Sequence, residues 1–105
     1  MDYVYSIYDA KQTVYIQPFF ARNDASAIRI LEQTLLSMPD CLLTQYPEDF
    51  TVFRIGDWDA NTGVITKADA FVSLGTCLQL ISQMRARRAQ MKPAVTTDKP
   101  EAENA

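Results

Sequence analysis

An α+β fold, an antiparallel sheet of two hairpins covered by a helix, is predicted by three features of the sequence. Two pairs of segments rich in aromatic and β-branched residues are each joined by a polar, turn-forming link. One stretch between the pairs and one after them space their apolar residues by three and four. From Lys92 onward the chain has no large apolar residue except Val95. The expected order is β-β-α-β-β-(β)-α. A single domain spans residues 1–91, and a disordered acidic tail follows over 92–105.

Tyr3 to Tyr8 reads as the first strand, and Asp9 to Gln12 is a polar break. Thr13 to Gln17 reads as the second strand. Pro18, lacking an N–H, is expected to end it. Phe19 and Phe20 are then placed to plug this hairpin onto the first helix. That helix starts at Asn23, a good N-cap, with Asp24 complementing the dipole in its first turn. It runs to about Ser37, with Ala27, Ile28, Leu31, Leu35 and Met38 on one face, and Pro39-Asp40 stops it. Cys41 to Leu43 is a short apolar run, read as a brief strand or a core-filling loop.

The stretch from Tyr46 to Thr66 holds the one Trp of the chain and reads as loop, strand, turn and strand. Pro47 pushes Tyr46 into an extended conformation. Thr51 to Ile55 places Phe53 and Ile55 on one face and Val52 and Arg54 on the other. Asp59 to Gly63 reverses the chain, Asn61 and Gly63 tolerating positive φ while Asp59 caps the turn. Val64 to Thr66 returns as the partner strand, and Phe71 to Leu74 either ends a strand or leads into the last helix. From Thr76 the pattern is helical, with Cys77, Leu80, Ile81 and Met84 on one face, Leu78 widening it, and Pro93 closing the segment.

Composition narrows the function. With 105 residues, 48% hydrophobic and 22% charged, the chain can bury a core. A formal net charge of -3 argues against coating nucleic acid with the whole surface, so such contact must come from a local patch. Histidine is absent, which removes the commonest general base and transition-metal ligand. The serines therefore have no histidine to activate them, and the glycines are too few and too scattered for a phosphate-binding loop. No catalytic residue and no cofactor is expected. Cys41 and Cys77 form no CxxC pair and read as small buried hydrophobes. No apolar run approaches the length that crosses a bilayer, and Met1-Asp-Tyr-Val opens directly into strand-like sequence. A soluble, cytoplasmic protein without membrane contact is expected.

Three constellations can carry chemistry. Glu48, Asp49, Asp57 and Asp59 gather around the central turn, and Asp57-x-Asp59-x-Asn61-x-Gly63 looks like part of a calcium loop. Its Gly falls at the seventh position rather than the sixth, and Ala68 stands where the twelfth-position Glu belongs, so turn capping is expected and no metal. Arg85, Arg88 and Lys92 form a stripe on the last helix, flanked by Arg87. They complement the dipole there, or they contact phosphates. The acidic tail (Asp98, Glu101, Glu103) can fold back and screen them. Among the aromatics, most of which read as core, Tyr3, Tyr5 and Tyr15 are expected to share the exposed face of the first hairpin and to stack bases.

Several segments in fixed order carry a family likeness: Tyr5-Ser-Ile-Tyr-Asp9, Gln17-Pro-Phe-Phe-Ala21, Asn23-Asp-Ala-Ser-Ala-Ile-Arg29, Tyr46-Pro-Glu-Asp-Phe50, and the run from Arg54 to Ile65. Over residues 3–66 the chain resembles the small non-structural protein of microviruses, the single-stranded-DNA phages, in particular the gokushovirus group. The resemblance implies a phage protein acting in the bacterial host cytoplasm. It also implies a DNA-binding role in the switch from double-stranded replication to synthesis and packaging of single-stranded genomes. It brings no catalytic residues. The expected function is a non-enzymatic accessory protein on single-stranded or viral DNA, contacting phosphates through Arg85, Arg87, Arg88 and Lys92. The alternative is a protein-interaction module, a homodimer that binds phage replication or procapsid components or a host protein, through a sheet edge or the last helix.

Overall fold

The computed structural model describes the backbone of residues 2–95 and the side chains of residues 2–90. Two hairpins lie side by side, joined along β1 (Asp2–Asp9) and β4 (Phe50–Asp59), which pair antiparallel at the centre of one sheet. β2 (Val14–Tyr15) and β3 (Phe19–Ala21) flank β1, and β5 (Val64–Thr76) flanks β4. All five strands are antiparallel to their neighbours. Helices α1 (Asp24–Ser37), α2 (Leu42–Gln45) and α3 (Cys77–Val95) complete the α+β architecture that the sequence predicts.

Pro18 interrupts the outer strand rather than ending it. The Ile16 N–H donates to the Ile7 carbonyl at 2.8 Å, and the Ser6 hydroxyl donates to the Ile16 carbonyl at 2.6 Å. One extra residue is absorbed before Phe19 resumes pairing, opposite Tyr5. A residue without an N–H is tolerated there because the bulge leaves it outside the ladder. Phe19 packs against the core beneath α1, as expected, whereas Phe20 points to the other side of the sheet and meets Trp58.

Cys41 to Leu43 is neither strand nor loop. Its carbonyl at Cys41 accepts from the N–H groups of Thr44 and Gln45, at 3.1 and 3.0 Å, which closes the single turn of α2. A 3-10 turn at Pro47–Asp49 follows. Phe71 to Leu74 belongs to β5, one strand of 13 residues. α3 continues through Pro93 to Val95, so the expected stop at Pro93 is corrected. In the last turn of a helix a proline removes one backbone bond at an end that water can serve. The rest of the expected tail, residues 96–105, lies outside the described residues.

The core forms where helices meet one side of the sheet. Ile7, Phe50 and Val52 from the sheet pack with Leu31 of α1 and with Cys77 and Leu80 of α3. Each such apolar side chain contributes about 1.5–3 kcal/mol on burial. The α1 stripe is buried at Ala27, Leu31 and Leu35, while Met38 lies outside it, exposed at the C-cap. On α3 the buried positions are Cys77, Leu80, Ile81 and Met84; Leu78 is exposed rather than widening the face.

The two hairpin turns are built alike. In each, an Asp carboxylate accepts the N–H two residues on: Asp9 from Lys11 at 3.0 Å, Asp59 from Asn61 at 2.9 Å. In each, the Asp carbonyl accepts the N–H four residues on, from Thr13 at 2.8 Å and from Gly63 at 2.7 Å. That fifth residue is left-handed in both, with φ 57 at Thr13 and φ 75 at Gly63. A β-branched residue is strained there and glycine is not. Thr13→Gly is therefore expected to stabilise the protein by about 1 kcal/mol, and Gly63→Thr to destabilise it by a similar amount, in urea unfolding monitored by circular dichroism.

Candidate nucleic-acid interface

Strand alternation and pairing divide the sheet into two sides. Tyr3, Tyr5, Ile7 and Asp9 align with Asp57, Arg54, Val52 and Phe50 and face the helices. Val4, Ser6 and Tyr8 align with Gly56, Phe53 and Thr51 on the opposite, open side, where Tyr15, Phe20 and Trp58 join them. The β1 and β4 ladder shifts at Ile55, and across β4 the four residues 68–71 of β5 stand opposite that single residue. Gly56, the next position, lets β5 close in again: a side chain there would collide with the Thr66 carbonyl oxygen.

The open side is aromatic. Tyr15 sits 4.8 Å from Tyr8, 6.3 Å from Phe53 and 5.9 Å from Phe71, ring centre to ring centre. Phe20 and Trp58 form a second pair at 5.2 Å. Tyr15, Phe20 and Phe71 are 49%, 41% and 38% exposed, so these rings present faces and edges to solvent. Lys67 Nζ lies 5.8 Å from the centre of the Phe71 ring, which brings one cation to this surface.

The expectation that Tyr3, Tyr5 and Tyr15 share an exposed face is corrected. Tyr15 is on the open side, but Tyr3 and Tyr5 turn toward the helices, because an odd number of positions separates Tyr8, the partner of Tyr15, from each. Tyr5 is fully buried, and its hydroxyl donates to Asp24 Oδ1 at 2.7 Å. Arg54 Nη1 approaches the same carboxylate at 3.3 Å and its guanidinium lies 5.0 Å from the centre of the Tyr3 ring. Burial, then the hydrogen bond and the negative charge of Asp24, raise the Tyr5 pKa well above the usual tyrosine range. Tyr5 therefore has no face to offer a base. The residues that do, Phe20, Phe53, Trp58 and Phe71, read as core from sequence. Their one legible signal was the placement of Phe53 opposite Val52.

The arginines belong to the helical layer. Arg87 pairs with Glu32 and so ties α3 to α1. Arg85 and Arg88 are exposed and have no ion pair among the described residues; with Leu36, Leu78 and Met84 they line a groove between α1 and α3. The side chain of Lys92 lies outside the described residues. Arg85, Arg87 and Arg88 are thus separated from Tyr15 by the thickness of the sheet.

Other groups have structural partners. Asp59 caps its turn, and among the described residues no three His, Cys, Asp or Glu side chains converge as a metal site would require. No helix among them is long and apolar enough to cross a membrane. Burial pushes the Cys77 thiol up to about 11. Desolvation also acts on Cys41, which is half-buried, but hydrogen bonds centred on Thr44 outweigh it and lower its pKa.

These features define a small single-sheet α+β protein, with helices on one side of the sheet and an aromatic surface on the other. The chain matches the family described as Phage ORF5 protein over residues 2–80, and it belongs to that family, a family of bacteriophage proteins. The matched span contains the whole sheet, open side included, and ends before Arg85. No curated protein and no solved structure matches the chain.

The buried Tyr5–Asp24 contact has a pH signature. The unfolded chain releases the Tyr5 proton near 10.0, whereas the folded protein retains it. Stability from this group is fully present below that pH and is lost as pH rises above it. Tyr5→Phe is expected to cost about 2 kcal/mol at neutral pH, for a hydrogen bond to a charged acceptor. It is also expected to flatten the alkaline decline in stability, measured by urea titrations from pH 7 to 11.

Proposed function

We propose that this phage protein is a non-enzymatic accessory protein of the gokushovirus-type microviruses. It associates with single-stranded DNA in the host cytoplasm during the switch to single-stranded genome synthesis and packaging. The observation that carries the reading is the uncovered aromatic side of the sheet with Tyr15 at its middle. Unpaired bases expose flat apolar faces, and aromatic side chains on a sheet accept them by stacking whatever the sequence. Duplex bases are already stacked on one another and have no face to give.

Charge sets the character of the binding. An acidic protein with one lysine at the stacking surface gains little from counterion release, so stacking dominates. Phosphate contact through Arg85, Arg87, Arg88 and Lys92 is the secondary element, because a short strand lying on Tyr15 and Phe71 does not reach the helical layer. A protein-interaction role is favoured by a different feature, the groove between α1 and α3, and is compatible with DNA on the open side.

Titrating the protein with oligo-dT while following the fluorescence of Trp58 tests the reading. Quenching is expected, with a log K against log salt slope of about -0.7, the value for one phosphate. The pair Tyr15→Ala and Phe71→Ala is expected to weaken binding at least tenfold, since each stacked base contributes about 1–3 kcal/mol. Arg85→Ala with Arg88→Ala is expected to change it less than threefold. No binding at low salt would overturn the proposal. A slope near -2 that the arginine pair abolishes would move the interface to α3.

A further inference from the structure

We infer that the groove between α1 and α3 docks an acidic peptide segment of a partner protein, with large apolar side chains at one end and carboxylates at the other. Two stretches compose the groove, and Leu36, Met84 and Arg88 line both, so it is continuous. In one stretch Leu35 and Leu36, at the end of α1, stand with Leu78 and Ile81, at the start of α3. In the other Arg29, earlier in α1, stands with Arg87 and Arg88, later in α3. The two helices therefore run antiparallel along the groove, which has an apolar end and a cationic end. The sequence of α3 sets that polarity. Spacings of three and four put Leu78, Ile81, Arg85 and Arg88 on one stripe, apolar first and basic after.

Both ends are uncovered by the described residues. Leu36 and Leu78 are each 47% exposed, and they adjoin across the groove rather than standing singly. Four of the six arginines of the chain line the groove, against one acid, Glu32. Arg87 holds Glu32, and Arg29, Arg85 and Arg88 are exposed with no ion pair among the described residues. A chain of formal net charge -3 thus concentrates positive charge at one end of an apolar cleft. Guanidinium groups take carboxylates in bidentate pairs, and their aliphatic stems extend the apolar contact. Other occupants match only half of this chemistry. Nucleic acid brings phosphates for the arginines, but no aromatic ring lines the groove to stack a base, and Leu36 and Leu78 gain nothing from sugar and phosphate. A second copy sets arginines against arginines across a two-fold axis. Residues 96–105 carry acids but no large apolar side chain for the other end.

This inference gives the protein-interaction role a surface and a partner chemistry, and it does not rest on DNA binding. The probe is a fluorescein-labelled synthetic peptide with leucines in one half and glutamates in the other, and fluorescence anisotropy follows its binding to the full chain. Replacing its glutamates by glutamines, or its leucines by serines, is expected to weaken binding about tenfold. Leu36→Ser with Leu78→Ser, and Arg85→Glu with Arg88→Glu, are each expected to do the same from the protein side. Circular dichroism checks that each pair folds. The charge-reversed protein is expected to prefer a peptide with lysines in place of the glutamates, an exchange that a purely structural role of the arginines does not produce. Loss of peptide binding leaves the oligo-dT titration in place, so the two readings fail separately. No binding of the leucine–glutamate peptide overturns the inference, and so does equal binding of its serine version. Oligo-dT that displaces the peptide, and whose own binding is lost with the arginine pair, assigns the groove to nucleic acid and overturns it as well.

Discussion

The buried hydroxyl of Tyr5 on the carboxylate of Asp24 is the contact that fixes the layers of this protein. Tyr5 lies in the central strand β1, Asp24 opens α1, and Arg54 of the neighbouring β4 meets the same carboxylate. Three elements distant in sequence are thereby locked in one register. An apolar contact would allow sliding; a buried polar group left unpaired costs about 1–3 kcal/mol, so the arrangement has one solution. Asp24 also sits where the positive end of the α1 dipole favours it, and Asn23 caps the same turn by accepting from the Ser26 N–H at 2.8 Å.

With α1 anchored, the helices close one side of the sheet and leave the other free. α1 is held at its first turn by Asp24 and later by Glu32, which Arg87 grips from α3. The arginine-rich helix thus has a structural task at Arg87, while Arg85 and Arg88 remain on the surface. The irregularity at Ile55 acts on the other half of the molecule. There residues 68–71 of β5 bulge out without aligned partners in β4, and Gly56 lets the two strands close again. The open aromatic side follows from these placements.

Membership of the Phage ORF5 protein family sets the biological context, and the surface chemistry gives it content. The proposed association of this acidic protein with DNA has to be local and without a strong ionic pull. Aromatic stacking meets that requirement because it draws on base faces rather than on phosphate charge.

The sequence determined the elements whose cause is local. Asn23 and Asp24 start α1 wherever they stand, the two Asp-led turns reverse the chain, and the spacing of Cys77, Leu80, Ile81 and Met84 selects the buried face of α3. The family context was legible too, because it is carried by ordered segments of the chain. The tertiary structure alone decided which side of the sheet each aromatic occupies. A slip of one position in a strand moves a side chain to the opposite face, and the bulges at Ile16–Pro18 and at Ile55 set those positions. Tyr5 was accordingly taken for a surface ring and is a core anchor, while Phe20, Phe53 and Phe71, read as core, line the open side.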